Sequence, residues 1–373
     1  MTRTARTPEV THMPDKPFIR LTALAAAVAL DIVLFRPAGD PASDAAELFV
    51  FAPGDFAAAI AVQERHNQDL LGIPGVAGTA VAIGPDGRPV VKVLLVHGGV
   101  PGLPATLDGH ALLTEVTGEF HALGDIDRTA TAAGGRPVAA GDETDPRRSF
   151  PRPVPIGVST GQVDVTAGTI AARVVSGDDV FALSNNHVYA NRNAAKPGDH
   201  VLQPGTVDGG VNPDDAIGAL HDFEPIRFCS PFPTCPENRI DAAIAATTTD
   251  QLGNSTPANG YGTPRSNTAA ARLGMQVQKY GRTTGHTTGR ISGINATINV
   301  GFRDGTARFA GQIVVADGGF SGPGDSGSLI VSGGSGPMAR RPVGLLFAGS
   351  RTSTLANPID PVLRRFDVTI DGG

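Results

Sequence analysis

The chain has 373 residues, 40% of them hydrophobic and 18% charged, with a formal net charge of −6. This balance excludes a disordered chain, and the length allows two domains with their own cores. The acidic charge, with no basic stripe, P-loop or dinucleotide fingerprint, argues against nucleic acid as the main partner.

At the N-terminus, Arg3, Arg6, Lys16 and Arg20 precede an apolar run at residues 21–30. Charge followed by apolar sequence is the order of a secretory leader. Asp31 interrupts the run and no small-x-small cleavage site follows, so residues 1–45 read as a leader or a disordered extension. The run is too short for a stable membrane span. Localisation stays open between export and the cytoplasm.

Residues 56–71 carry apolar positions at helical spacing behind Asp55, a candidate N-cap. Two apolar runs flank Pro85-Asp86-Gly87-Arg88 and predict a β-hairpin, and residues 111–116 predict a further strand. Together these give a small α+β domain over 46–128. Residues 129–152 lack periodicity and read as an exposed linker, with Arg147-Arg148 as a site for nicking.

From 153 to 373 the pattern changes to short apolar runs between glycine turns, with no long helical pattern. Strands are expected at 154–159, 168–175, 179–184, 241–246, 275–280, 289–294, 296–300, 312–315, 328–331 and 342–347. The spacing predicts an all-β barrel or sandwich. A faint echo between 159–170 and 282–291 is what a duplicated barrel would leave.

The chemistry centres on Phe320-Ser-Gly-Pro-Gly-Asp-Ser-Gly-Ser-Leu-Ile-Val331. A serine nucleophile needs a base, an acid that orients the base, and N–H groups for the oxyanion. Ser326 is the candidate nucleophile. His187 stands where an apolar strand meets an Asn-Asn corner and is the candidate base. Asp241 opens an apolar strand, where a buried carboxylate needs a partner, and is the candidate acid. The amides of Gly324 and Ser326 are the candidate oxyanion donors, because glycine permits a bend that turns N–H groups inward. Asp214, Asp215 and Asp222 are rival acids in polar loop sequence, and His286 reads as a turn residue. Judged alone, each of these residues also has an ordinary reading as a turn, cap or local hydrogen bond.

Their order, His-Asp-Ser, resembles that of the chymotrypsin-fold serine proteases over about 153–373. Ser-Asn-Asn-His-Val-Tyr-Ala, Ile-Asp-Ala-Ala-Ile-Ala, Lys-Tyr-Gly-Arg-Thr-Thr-Gly and Gly-Asp-Ser-Gly-Ser-Leu-Ile-Val are similar to the trypsin-like peptidases related to the plant narrow-leaf protein and its bacterial counterparts. The resemblance implies a mainly β fold, two six-stranded-type β-barrels in a chymotrypsin-like double barrel, preceded by the small α+β domain. It also implies a triad of His187, Asp241 and Ser326, and a substrate pocket around Phe320, Phe347, Ala348 and Gly349. No acid stands at Phe320, so a small or apolar residue is expected before the scissile bond, although Asp317 lies nearby. Ser328 departs from the second glycine of the digestive enzymes.

The expected function is a serine endopeptidase acting on a protein or peptide, with no metal or organic cofactor required. A protease-fold binding or scaffold protein with weak or latent catalysis is the alternative. Residues 1–150 read as a removable pro-segment or a permanent domain, and a homo-oligomer is left open. Cys229 and Cys235 lie in a short Pro-containing loop that a disulfide could close, which would suit export. They also read as two free thiols, while a metal site would need more ligands than these and His221.

Overall fold

A computed structural model describes residues 53–124, 144–230, 235–316 and 318–373. The expected leader, most of the expected linker and Asp317 lie outside the described residues.

Helix α1 (Pro53–Leu71) opens the described chain. Proline suits a first helical turn, where its missing N–H costs no hydrogen bond. Asp55 therefore lies inside the helix rather than capping it. Ala59, Val62, Leu70 and Leu71 are buried. The face they form rests on the hairpin β1 (Val76–Ile83) and β2 (Pro89–Leu95), which folds around Asp86-Gly87 as the turn residues predict. Strands β3 (Thr106–Leu107), β4 (His110–Val116) and β5 (Phe120–Ala122) follow. β4 runs parallel to β2.

The first barrel half contains β6 (Ser159–Gln162), β7 (Gly168–Thr169), β8 (Ala172–Ser176) and β9 (Asp179–Ser184). The four-residue helix α2 (Asn186–Tyr189) comes next, then β10 (His200–Leu202) and β11 (Ala216–Phe223). After the short β12 (Glu237–Asn238), β13 (Ala243–Thr247) returns to this sheet. The expected strand at 154–159 is buried chain that joins the sheet only at Ser159, with one bridge from Val154 to Leu252.

The second barrel contains β14 (Gln276–Gly281), β15 (Gly285–Phe302), β16 (Gly305–Ala316), β17 (Leu329–Ser332), β18 (Pro342–Gly349) and β19 (Ser353–Pro358). Because β15 pairs with both β14 and β16, these six close into a ring. The two strands expected at 289–294 and 296–300 are one bulged strand, β15, with Asn295 at φ 51 where its register shifts. Helix α3 (Ile359–Phe366) and β20 (Thr369–Ile370) carry the C-terminus back to β8 of the first sheet. An open half-barrel sheet beside a closed six-strand ring is the arrangement of a chymotrypsin-like double barrel.

The segment expected as a small α+β domain has that composition, but its strands share a sheet with the second barrel. β1 pairs with β15, and β5 pairs with both β15 and β18. The described residues fall in one compact unit, Ala52–Gly373. Residues 144–150 are also tied down: Thr144 accepts a hydrogen bond from Tyr280 Oη at 2.9 Å and Arg148 one from Gln203 Nε2 at 2.8 Å, both through backbone carbonyls.

Candidate active site

Strand β9 delivers the Asn-Asn corner and then the histidine. Neither asparagine caps α2 with its side chain. Asn185 Nδ2 donates to the Asp241 carbonyl at 2.7 Å, and Asn186 Nδ2 donates to the Glu224 carbonyl at 2.7 Å. Asn185 thus fixes the corner against the segment that carries Asp241, and Asn186 fixes it against the end of β11. His187 Nδ1 lies 2.5 Å from Asp241 Oδ2, and the His187 amide donates to Asp241 Oδ1 at 3.2 Å. His187 is 2% exposed and Asp241 is fully buried. A carboxylate at Nδ1 favours the tautomer that carries the ring proton on that nitrogen. Nε2 is buried and has no hydrogen-bond partner.

Ser326 is fully buried in the bend before β17. Its hydroxyl donates to the Phe347 carbonyl at 3.1 Å rather than to His187. The two barrels meet at this point. The Thr169 amide of β7 donates to the Ser326 carbonyl at 2.7 Å. Gly168 packs so closely that an added Cβ would stand 2.5 Å from Val188 Cγ2 and 3.0 Å from the Ser326 carbonyl oxygen. One residue of β7 thus touches both the histidine's helix and the serine's backbone.

The bend is held from beneath by Asp325, also fully buried. Its Oδ1 accepts the Thr283 and Thr284 amides at 2.7 and 3.2 Å, and its Oδ2 accepts the Gly322 amide at 2.9 Å. Lys279 Nζ lies 3.5 Å from Oδ2 with both side chains buried. Burial holds the Lys279 ammonium below the usual lysine value, and Asp325 acts against that shift. Gly281 leaves room for this cluster, since a Cβ there would stand 2.5 Å from both Asp325 Oδ1 and Ser328 Oγ. Arg282 forms a two-pronged pair with Asp208 at 2.8 and 2.5 Å across the barrels. The Lys-Tyr-Gly-Arg-Thr-Thr-Gly motif is therefore the cradle of the Asp325-Ser326 bend. Ser328, which departs from glycine, donates to the Asp325 carbonyl at 2.6 Å and tightens the turn.

Beside the bend, residues 120–124 run along β18. His121 pairs with Gly349 and Ala122 with Ala348 in antiparallel register. The Leu123 amide donates to the Phe347 carbonyl at 3.2 Å, and the Gly324 amide donates to the Leu123 carbonyl at 2.5 Å. Gly324 has φ +101, a conformation that glycine adopts without strain and that turns this amide toward the cleft.

The four residues expected in a substrate pocket differ in their surroundings. Phe320 is buried in an apolar cluster with Val315, Ile330 and Leu346, against which the Leu123 side chain packs. Gly349 leaves the space that Leu123 fills, since a Cβ there would stand 3.2 Å from Leu123 Cδ1. Ala348 pairs with Ala122 through its backbone. Phe347 contributes its carbonyl, while its ring packs 4.7 Å from the Phe309 ring on the other side of the strand.

The rival acids serve elsewhere. Asp222 pairs with Arg365 at 2.8 Å, Asp215 accepts the Val211 amide at 2.8 Å, and Asp214 is exposed. His286 lies on β15 within 2.8 Å of Gln278 Oε1, its pKa lowered by burial and then by the Lys279 charge. His221 packs against Phe181 with the rings tilted by 49°. Cys229 and Cys235 form a disulfide with Cα atoms 4.2 Å apart. The Cys229 amide donates to the Thr306 carbonyl at 2.8 Å, docking this loop on the β15–β16 turn.

Three contributors go beyond the sequence reading. Asn357 Oδ1 accepts the Asp241 amide at 3.0 Å, and Asn357 Nδ2 donates to Gln312 Oε1 at 2.7 Å, so two buried amides brace the acid. Each is a polar residue inside an apolar strand, a pattern that signals a buried hydrogen bond. Phe302 presents its ring at 6.0 Å from His187, edge on, from the end of β15. No local signal marks that contact, because it depends on how the long hairpin bends.

No protein-family model matches the sequence, and no curated protein matches it. Among solved structures, the chain is similar to a glutamic acid-specific serine protease that uses a histidine triad in substrate binding. Identity is 20%, covering 58% of this chain and 100% of that one, with a TM-score of 0.41. It is similar to protease A of Thermobifida fusca at 19% identity, over 59% of this chain and 100% of that one, TM-score 0.41. It is also similar to a Nocardiopsis protease at 18% identity, over 58% and 99%, TM-score 0.39.

Proposed function

We propose that this chain is a serine endopeptidase with Ser326 as nucleophile, His187 as general base, and Asp241 as the group that orients the base and stabilises its protonated form. The observation that carries the reading is the buried His187–Asp241 pair with its unpartnered Nε2, together with a Ser326 bend whose Gly324 amide donates to the Leu123 carbonyl, one residue before the Gly124 that lies over Nε2. A buried nitrogen with no partner is costly unless it has a role, and proton acceptance is the role this geometry fits.

In the proposed reaction, the Ser326 side chain rotates from the Phe347 carbonyl to Nε2 and loses its proton as Oγ attacks a peptide carbonyl. The amides of Gly324 and Ser326 receive the oxyanion. Asp241 stabilises the imidazolium, which then protonates the leaving amine. Water deacylates the enzyme by the reverse proton path. The apolar surroundings of Phe320 and the space over Gly349, which the Leu123 side chain fills, fit an apolar residue before the scissile bond.

The alternative, a binding protein with latent catalysis, draws on the hydroxyl resting on Phe347 instead of His187. The two are separated by turnover of a fluorogenic peptide with leucine before the bond. The endopeptidase reading expects Ser326→Ala to lose roughly 10⁴-fold or more in kcat/KM. Equal rates in the two proteins would refute it. Stronger cleavage after Arg or Lys than after Leu would refute the pocket assignment alone.

A further inference from the structure

We propose that the chain is its own first substrate, cut in cis between Leu123 and Gly124, and that residues 120–123 then remain in the cleft as bound product. This rests on the serine endopeptidase reading of the site.

The Leu123–Gly124 peptide bond bridges the two halves of the catalytic machinery. On its acyl side, the Leu123 carbonyl oxygen takes the Gly324 amide at 2.5 Å, where an oxyanion would be received. The Leu123 amide is held by the Phe347 carbonyl at 3.2 Å, and the two residues before it continue the antiparallel pairing with β18. The Leu123 side chain enters the space over Gly349 and packs on the Phe320 cluster. On its amine side, Gly124 lies directly over the imidazole. A Cβ at this position would stand 2.3 Å from His187 Cδ2 and 2.6 Å from Nε2. Its carbonyl accepts a hydrogen bond from Thr166 Oγ1 at 3.0 Å. A segment that merely covered the cleft would have no need to place a carbonyl on the oxyanion amide and the following residue on the general base. Both contacts, made by consecutive residues, define the register of a substrate. Only glycine fits after the bond.

The bond changes balance without any co-reactant except water. Ser326 Oγ adds to the Leu123 carbonyl carbon while its proton passes to His187 Nε2. The carbon–nitrogen bond to Gly124 breaks, and the Gly124 nitrogen keeps the electron pair and takes the proton from Nε2. An ester between Leu123 and Ser326 remains. A water molecule gives one proton to Nε2 and adds its hydroxyl to the Leu123 carbon, releasing Ser326 Oγ, which regains the proton from Nε2, and leaving a Leu123 carboxylic acid that loses its remaining proton to solvent. Pairing of β5 with β15 and β18, and of β1 with β15, gives the N-terminal piece contacts that do not depend on the broken bond.

The test is intact mass and N-terminal sequencing of the purified full chain over time and at several concentrations, with turnover of an external leucine peptide measured in parallel. The expected result is two pieces, 1–123 and 124–373, with a new N-terminus at Gly124 and a rate independent of concentration. Ser326→Ala should remain a single chain of 38.1 kDa. Leu123→Asp should slow the cut by roughly 100-fold, because the charge must enter an apolar pocket. A chain that hydrolyses the external peptide in a Ser326-dependent way yet stays whole at 123–124 would overturn the self-cleavage and leave the endopeptidase reading standing. A chain that neither cuts itself nor turns over the peptide, in both its natural form and Leu123→Asp, would overturn both. A cut that persists in Ser326→Ala would come from another protease and would also overturn the proposal.

Discussion

Asp241 accepts both the ring N–H and the amide of His187, while Asn357 braces its own amide. Replacing the carboxylate by an amide keeps the shape but loses the acceptor that fixes the tautomer. Asp241→Asn should therefore lower kcat by about 10⁴-fold with little change in melting temperature. Steady-state kinetics beside a thermal melt separates this from simple unfolding, whereas Asp222→Asn should leave kcat unchanged. At this scale the sequence is informative because chemistry restricts residue types. A carboxylate that opens an apolar run, a histidine at a strand end and a serine in a glycine bend each need a partner, and the structure brings the first two into direct contact. The bracing amides of Asn357 and Gln312 are harder to read, since any buried asparagine satisfies the same pattern.

Among the elements, the β14–β15 turn matters most, because it carries the support of the Asp325-Ser326 bend. Lys279 and Asp325 are a buried pair, and removing one member leaves the other charge uncompensated. Lys279→Met should destabilise the fold by roughly 3–5 kcal/mol, read from the denaturant midpoint at constant m-value. Arg282→Ala should cost somewhat less, roughly 2–4 kcal/mol, because the Asp208 side chain is largely but not fully enclosed. A surface role for either residue would show as a change of at most about 1 kcal/mol. Strand positions are largely legible, because period-2 and continuous apolar runs follow from burial on one or both faces. The very short strands β10, β12 and β20, the helix α3, and the strands β11 and β19 are not: two or three residues carry no period, α3 has only eight, and β11 and β19 mix glycine or polar residues into their apolar runs. The single long strand β15 reads as two segments in sequence because its bulges interrupt the alternation.

At the scale of the whole molecule, the sheet that joins β2, β1 and β15 makes the N-terminal segment part of the second barrel's surface. Its helix and hairpin are legible locally. Its pairing with strands some two hundred residues later is not, because local pattern says nothing about which edge a hairpin will meet. This continuity has a measurable consequence. After cleavage between Leu123 and Gly124, the two pieces should co-elute in size-exclusion chromatography and separate only in denaturant. Pieces that part under native conditions would mean that the β1–β15 and β5–β18 pairings do not hold the segment without the covalent link.

The central claim is that Ser326 is a nucleophile activated by His187 and Asp241. Labelling with a small fluorophosphonate, followed by peptide mapping, tests it most directly. The proteins to compare are the natural chain, Leu123→Asp, His187→Ala and Ser326→Ala, each checked for a cooperative melt. The account predicts phosphonylation at Ser326, faster in Leu123→Asp because the cleft is emptied, and lost in His187→Ala and Ser326→Ala. A folded Leu123→Asp protein that remains unlabelled, or that labels no faster than the same variant carrying His187→Ala, would contradict it.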